Sequence, residues 1–140
     1  ERMFPSVVEW VDAHYRTLSK AESRAIAGLS MGGFHSMQIS KEYPAMFDYV
    51  GLFSAAVFRG EKGVAIYEDI EAKLAKQFAA KPKLYWIAIG KEDFLYQENV
   101  EYRKLLDSKG YDYIYRESDD GHIWRNWRIY LSEFSQMLFK

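Results

Sequence analysis

The 140-residue chain contains no cysteine. This absence excludes a disulfide framework, a thiol nucleophile and metal sites built from thiolates. Histidine is also scarce, and His14, His35 and His122 are too scattered to form a metal-binding cluster. We therefore expect neither a metal nor a cofactor, and we interpret His14 and His35 as structural or exposed residues.

The chain also lacks an excess of positive charge and a long apolar run. Its 19 Lys and Arg residues are balanced by 20 Asp and Glu, so the formal net charge is −1 and binding to nucleic acid is not expected. No apolar run approaches the ~18 residues of a membrane span, so no membrane contact is expected. The hydrophobic content of 49% is that of an ordinary globular chain with one core.

Four segments of the chain predict a parallel sheet. Residues 24–29, 49–54 and 84–90 are apolar almost throughout, which is typical of strands buried on both faces. Residues 112–117 alternate, as expected of an outer strand. Helical patterns precede, separate and follow these strands, over residues 4–15, 34–43, 64–80, 96–109 and 124–139. In the last helix the predicted apolar face consists of Trp127, Tyr130, Leu131, Phe134 and Leu138. This alternation predicts an α/β fold of about four parallel strands with helices on both faces.

The first strand ends in a G-x-S-x-G pattern, Gly28-Leu29-Ser30-Met31-Gly32. Such a pentapeptide also arises by chance in glycine-rich turns. Here a strand precedes it and a helix follows it, which favours a nucleophile elbow that exposes the Ser30 hydroxyl at a helix N-terminus. We interpret Gly28 and Gly32 as the positions where strand and helix pass closely, because glycine has no Cβ.

Other polar residues follow the later strands and should share the same edge of the sheet as Ser30. The third strand is followed by Glu92 and Asp93, and the fourth by Asp119, Asp120 and His122. A serine needs a base within hydrogen-bonding reach, and histidine supplies one that a carboxylate orients. The order Ser…Asp…His is that of α/β-hydrolases. Asp93 is our first choice for the acid, while the other three carboxylates remain open.

The pocket around this serine has three candidate residues. Ser54 and Phe58 follow the second strand, and Trp124 opens the last helix. We interpret Trp124 and Trp127 as core residues first and as substrate contacts second.

Three runs of residues resemble a known family. They are Gly28–Gly33, Gly90–Leu95 and the closing run Gly121-His122-Ile123-Trp124-Arg125-Asn126-Trp127 with the residues up to Leu131. Together they resemble the carbohydrate-esterase branch of the esterase-D-like α/β-hydrolases, which includes feruloyl and acetylxylan esterases. The resemblance implies that Ser30 is the nucleophile, Asp93 the acid and His122 the base, with the Met31 backbone N–H as an oxyanion donor. Asp120 stands where family members often have glycine, which makes the pocket rim more acidic.

The resemblance implies a serine esterase that acts on feruloyl or acetyl esters of plant polysaccharides, with a small-molecule or oligosaccharide ester as substrate. Siderophore-ester hydrolysis, thioester hydrolysis and acyl transfer are alternatives on the same scaffold, and a catalytically silent fragment or binding module is the alternative from another class. A secreted or periplasmic location is expected from the family alone.

Family members have domains of roughly twice this length, with earlier strands and a loop that donates a second oxyanion N–H. The chain begins at Glu1 without a signal peptide. We therefore interpret residues 1–140 as the C-terminal portion of one α/β-hydrolase domain whose N-terminal strands are missing. The expectation is that Ala25–Leu29 forms an exposed edge that pairs with the N-terminal half or with a second copy. A further expectation is that the chain alone is not an active monomer.

Overall fold

A four-stranded parallel sheet organises the computed structural model, which describes residues 1–140. The strands lie in the order β1-β2-β3-β4, with bounds Ala25–Leu29, Tyr49–Phe53, Leu84–Gly90 and Ile114–Ser118. The α-helices α1 to α5 span Phe4–His14, Met31–Glu42, Ile70–Ala79, Tyr96–Ser108 and Trp124–Ser135. All strand pairs are parallel, so the carboxyl ends of all four strands lie at the same edge of the sheet. The predicted α/β architecture is confirmed.

Helices cover both faces of the sheet, as predicted. Side chains alternate along β2: Val50 and Leu52 pack into the core beneath α2, α3 and α4, whereas Tyr49 and Phe53 pack against α5. On the α5 side the core is aromatic, and the ring of Phe53 lies 5.4 Å from that of Trp86 and 5.6 Å from that of Phe134. The tight packing around β2 and β3 holds their carboxyl ends rigidly.

Three predicted helices differ from the observed ones by three residues or more. The helix predicted over residues 34–43 begins earlier, at Met31, directly after Ser30. The helix predicted over residues 64–80 begins only at Ile70, because Asp69 has a left-handed backbone (φ 54°) that interrupts the helical path. The preceding turn, Ala65–Tyr67, is a separate 3₁₀ helix. The last helix ends at Ser135, and its predicted core residue Leu131 is 57% exposed, since no element beyond β1 covers that flank of α5.

One side of β1 has no neighbouring strand. The N–H of Ser30 donates to the Phe53 carbonyl of β2 (2.9 Å). Backbone direction alternates along a strand, so the N–H and C=O groups of Ala25, Ala27 and Leu29 face the open side. The strand that leads to Ser30 is therefore an edge strand, as expected from the sequence.

Lys41 is an unusual member of the core under α2. It is 1% exposed, and its Nζ has no hydrogen-bonding partner. The pKa of its amino group is lowered from 10.5 to about 8, mainly by burial; the nearby charge of Lys73 also lowers the pKa, and that of Glu42 raises it. The folded chain therefore favours the neutral amine more than the unfolded chain does.

Lys41→Met is expected to raise the free energy of unfolding at pH 7 by at most about 3 kcal/mol. The unfolded chain keeps this proton up to about pH 10.5, whereas the folded chain releases it near pH 8. The contribution of Lys41 to the free energy of unfolding of the wild type therefore becomes less unfavourable as the pH rises across that window. The difference in free energy of unfolding between Lys41→Met and the wild type shrinks accordingly. Urea unfolding at pH 7 and at about pH 9.5 measures the change, with the exposed Lys76→Met as control. An advantage that stays constant with pH would contradict the prediction.

Candidate active site

The turn between β1 and α2 has the geometry of a nucleophile elbow. Ser30 has φ 54° and ψ −117°, a strained backbone for a residue with a side chain. A Cβ on Gly28 would lie 2.2 Å from the Gly32 carbonyl oxygen, and one on Gly33 would lie 2.6 Å from the Cβ of Ala55. A Cβ on Gly32 would meet nothing within 4 Å. The strand therefore passes closely against Gly32, as predicted, but the missing Cβ that permits this contact is that of Gly28. The prediction that Gly32 itself must lack a Cβ is wrong, and the second position that must lack one is Gly33.

Ser30, His122 and Asp93 lie in a hydrogen-bonded row at the carboxyl edge of the sheet. The distance from Ser30 Oγ to His122 Nε2 is 3.0 Å, and that from His122 Nδ1 to Asp93 Oδ2 is 2.9 Å. A neutral imidazole can donate from Nδ1 to the carboxylate and accept the serine proton at Nε2. The structure thus brings together three side chains that are far apart in the sequence: Ser30 lies 92 residues before His122, and Asp93 lies 29 residues before it.

Among the four candidate carboxylates, only Asp93 contacts the histidine. Its side chain is fully buried, and its second oxygen accepts the backbone N–H of Leu95 (2.9 Å). Glu92 points into solvent. Asp119 pairs with Lys91 at 3.2 Å, and Asp120 pairs with Arg125. Burial with two hydrogen bonds suits a carboxylate that fixes the orientation of an imidazole.

Two aromatic rings flank the His122 imidazole. Phe94 lies on one side at 4.7 Å between ring centroids, and Trp127 lies edge-on at 4.8 Å. The Trp127 indole N–H donates to Ser54 Oγ (3.1 Å), which fixes the indole in place. The sequence placed Trp127 in the core, which is correct, but gave no sign that it touches His122. The contact of Phe94 with His122 was also missed, because the local sequence does not show whether an exposed aromatic side chain lies beside the site or elsewhere on the surface.

The three candidate pocket residues have different environments. Ser54 is fully buried and bonded to Trp127, so its assignment to an open pocket is wrong. Phe58 is half exposed, with its ring against Tyr102. Trp124 is 68% exposed, which makes the interpretation as a core residue wrong for it. It lines an apolar groove of about 240 Å³ together with Ala27, Gly28, Leu29, Phe53, Trp127, Arg128 and Leu131.

The predicted oxyanion donor is Met31, the first residue of α2. A residue at this position has no carbonyl one turn earlier in the helix to receive its N–H. The helix N-terminus also carries a partial positive charge, which suits a developing oxyanion beside Ser30.

The remaining histidines lie elsewhere. His14 is exposed and stacks on Trp10, and His35 contacts the carboxylate of Glu1 at 2.7 Å. No three acidic or histidine side chains converge as metal ligands would. None of the helices has the length and apolar character that a membrane crossing requires.

A parallel sheet with a serine at its strand–helix elbow, and a histidine and an aspartate in line with it, defines an α/β-hydrolase-like architecture. Residues 5–138 match the family model described as "Putative esterase". The chain belongs to this esterase family.

Individual relatives agree with the family. An acetyl esterase from Caldicellulosiruptor saccharolyticus is 28% identical over 163 aligned residues, which cover 96% of this chain and 61% of that protein. An endo-1,4-beta-xylanase/feruloyl esterase from Xylanibacter ruminicola is 33% identical over 60 residues, which cover 43% of this chain and 8% of that protein.

Solved structures show the same fold. An S-formylglutathione hydrolase from Staphylococcus aureus superposes with a TM-score of 0.79 at 23% identity, over 96% of this chain and 58% of that one. A ferulic acid esterase from Anaeromyces mucronatus gives a TM-score of 0.79 at 22% identity, over 99% of this chain and 52% of that one. The chain thus spans 61% of the acetyl esterase and 58% of the hydrolase, and it corresponds to the C-terminal part of its homologues.

Proposed function

We propose that this chain carries the catalytic residues of a carboxylic ester hydrolase. The observation that carries the proposal is the row of two hydrogen bonds from Ser30 through His122 to Asp93, at a strained elbow. Solvent reaches the site through His122, whose side chain is 19% exposed. The side chain of Asp93 behind it is fully buried. Membership of the esterase family agrees with this chemistry.

In the proposed mechanism, Ser30 Oγ attacks the ester carbonyl carbon while His122 Nε2 takes the hydroxyl proton. The carbonyl oxygen becomes an oxyanion next to the Met31 N–H. The tetrahedral species collapses, the C–O bond to the alcohol breaks, and the imidazolium protonates the leaving oxygen. Water then attacks the acyl-enzyme with His122 again as base, which releases the acid and restores Ser30. Asp93 stabilises the imidazolium in both steps.

We propose feruloyl or acetyl esters of plant polysaccharides as the substrates, and a secreted or periplasmic site of action where such polymers occur. The names of the acetyl esterase and feruloyl esterase relatives support this choice. The exposed rings of Phe94 and Trp124 near the site offer flat apolar surface to a sugar or an aromatic acyl group.

Turnover of a chromogenic aryl acetate tests whether the chain hydrolyses esters at all. A panel of feruloylated and acetylated xylo-oligosaccharides, with a thioester as comparison, then tests the substrate class. Faster turnover of the thioester than of every sugar ester would overturn the substrate proposal and leave the hydrolase proposal in place.

We also propose that the open edge of β1 pairs with a further strand before the site is fully active. The backbone groups of Ala25, Ala27 and Leu29 face that edge, and an apolar groove lies on each side of it. The groove on the α1 side includes Val7 and Leu18, which are 54% and 66% exposed. Such surface is rarely left uncovered in a monomer. In a preparation of the 140-residue chain alone, the strand supplied is that of a second copy.

The isolated chain is therefore expected to be dimeric or larger by light scattering and weak in aryl-ester turnover. Ala27→Lys at the open edge is expected to shift the population to monomer, because a charged side chain opposes edge pairing. Ile114→Lys on the other edge strand, β4, is the matched control and should leave the mass unchanged. A monodisperse wild-type monomer with full esterase activity would contradict the proposal.

A further inference from the structure

The chain contains only two asparagines, Asn99 and Asn126. Both are buried, at 0% and 3% exposure, and each lies in the first turn of the helix that follows a candidate catalytic residue. Each uses its side-chain amide nitrogen to donate to two backbone carbonyls outside regular strands. The two share this arrangement although they are on different helices.

Asn126 binds the loop that carries His122. Its Nδ2 donates to the carbonyls of Asp119 (3.0 Å) and Gly121 (3.1 Å), which lie on either side of Asp120. Asp120 has a left-handed backbone (φ 64°), so the loop turns sharply between these two hydrogen bonds. The carbonyl of Asp120 itself accepts the backbone N–H of Glu92 (3.1 Å). Three consecutive carbonyls are thus fixed immediately before His122.

The loop is also fixed sterically from the sheet side. A Cβ on Gly90, the last residue of β3, would lie 2.1 Å from the Asp120 carbonyl oxygen and 2.9 Å from Asn126 Nδ2. Only glycine lets the loop and the carboxamide pack this closely on the strand. The position of the His122 backbone therefore depends on the carboxamide of Asn126 and on the absence of a side chain at Gly90.

Asn99 connects the backbones near the other two residues. Its Nδ2 donates to the carbonyls of Leu95 (3.0 Å) and Ala55 (2.8 Å). The N–H of Leu95 is the donor to Asp93 Oδ1, and the residue after Ala55 donates its N–H to the Ser30 carbonyl (3.2 Å). The Oδ1 of Asn99 has no partner, so its carboxamide contributes through the two donated hydrogen bonds alone.

We propose that Asn126 and Asn99 are positioning residues, which hold the loops of His122, Asp93 and Ser30 at the distances that proton transfer needs. The inferred effect of the two asparagines on the reaction rate rests on the proposed function, whereas their effect on the position of His122 does not. Displacements of about 1 Å in such a constellation typically cost on the order of 100-fold in rate. Neither residue touches the reacting atoms.

The test compares Asn126→Asp and Asn99→Asp with Gln77→Glu. Aspartate keeps the shape of asparagine but cannot donate when ionised. Gln77 is also buried, on α3 away from the site, so its glutamate variant controls for the cost of a new buried carboxylate. Thermal unfolding of each variant verifies that it is folded.

Two readouts separate positioning from general stability. The first is the low-field proton resonance of His122 Nδ1–H in its hydrogen bond to Asp93, which requires no catalysis. The second is the rate of covalent labelling by a fluorophosphonate. Both asparagine variants are expected to label roughly 10- to 100-fold more slowly, and Asn126→Asp should also shift or abolish the resonance. Gln77→Glu should change neither readout.

Folded asparagine variants with the wild-type resonance and labelling within about two-fold of wild type would overturn the inference. If Asn126→Asp does not fold, the same two readouts are measured on Asn126→Ser, whose hydroxyl can donate only one of the two hydrogen bonds. The same results support or overturn the inference. If the wild type shows the resonance but does not label, the proposed function fails, while a shift of the resonance in the asparagine variants still supports their positioning role.

Discussion

In the complete hydrolase domain, replacing Ser30 with alanine is expected to reduce aryl-ester turnover by a factor on the order of 10⁴ or more. The hydroxyl 3.0 Å from His122 Nε2 is the proposed nucleophile, and alanine has no atom that can form the acyl-enzyme. The elbow itself should persist, because its close contacts are made by Gly28 and Gly33 rather than by the Ser30 side chain. Turnover and thermal unfolding measured on the same preparation would show loss of activity without loss of fold.

Ser36→Ala is the matched control for this experiment. Ser36 is a buried serine on α2 whose hydroxyl donates to the Gly32 carbonyl at 2.8 Å, and it has no contact in the proposed mechanism. A fluorophosphonate should label the wild type and Ser36→Ala on Ser30 alone, and should not label Ser30→Ala. Substantial turnover or labelling in Ser30→Ala would exclude Ser30 as the nucleophile.

The second large effect is expected from Asp93→Asn. Asparagine in this position can present an amide N–H to His122 Nδ1, which favours the wrong tautomer, and comparable changes reduce turnover by about 10⁴. Glu92→Gln should change turnover by less than about 3-fold, because the Glu92 side chain points into solvent and only its backbone N–H is used. Steady-state kinetics of both variants would measure the difference.

This pair of neighbours is a test of the acid assignment. Both carboxylates follow β3 directly, so only the direction of the side chain separates them. A larger loss in Glu92→Gln than in Asp93→Asn would transfer the orienting role to Glu92. Asp120→Asn, which removes the contact with Arg125 at the rim, extends the comparison to a third carboxylate of the same edge.

Local patterns were enough to predict the strands, the elbow and the order of the polar residues. An apolar run buried on both faces can form little other than a central strand, and β2 and β3 match the predicted segments closely. The G-x-S-x-G pattern predicted the elbow because a predicted strand precedes it and a predicted helix follows it. Since parallel strands end at one edge, the residues after them were expected to meet there, and Ser30, Asp93 and His122 do so.

Periodicity failed where a backbone angle or a neighbouring element decides the outcome. Residues 64–69 have the spacing of the helix that follows, but the left-handed Asp69 separates them from it. Leu131 has the spacing of a core residue, yet it lines the open groove between α5 and the edge strand β1, which no further element covers. A periodic pattern gives the direction of a side chain on its own element and does not show whether another element is there to meet it.

The sequence by itself determined which elements form and which residue types reach the carboxyl edge of the sheet, because both follow from side-chain pattern and chain direction. Only the tertiary structure decided which carboxylate faces His122, that Ser54 is buried under Trp127, and that a Cβ has no room at Gly28 and Gly33 but would have room at Gly32. It also revealed the two asparagines. These contacts join elements far apart in the chain, and their geometry depends on how helices settle on a twisted sheet, which no local pattern encodes.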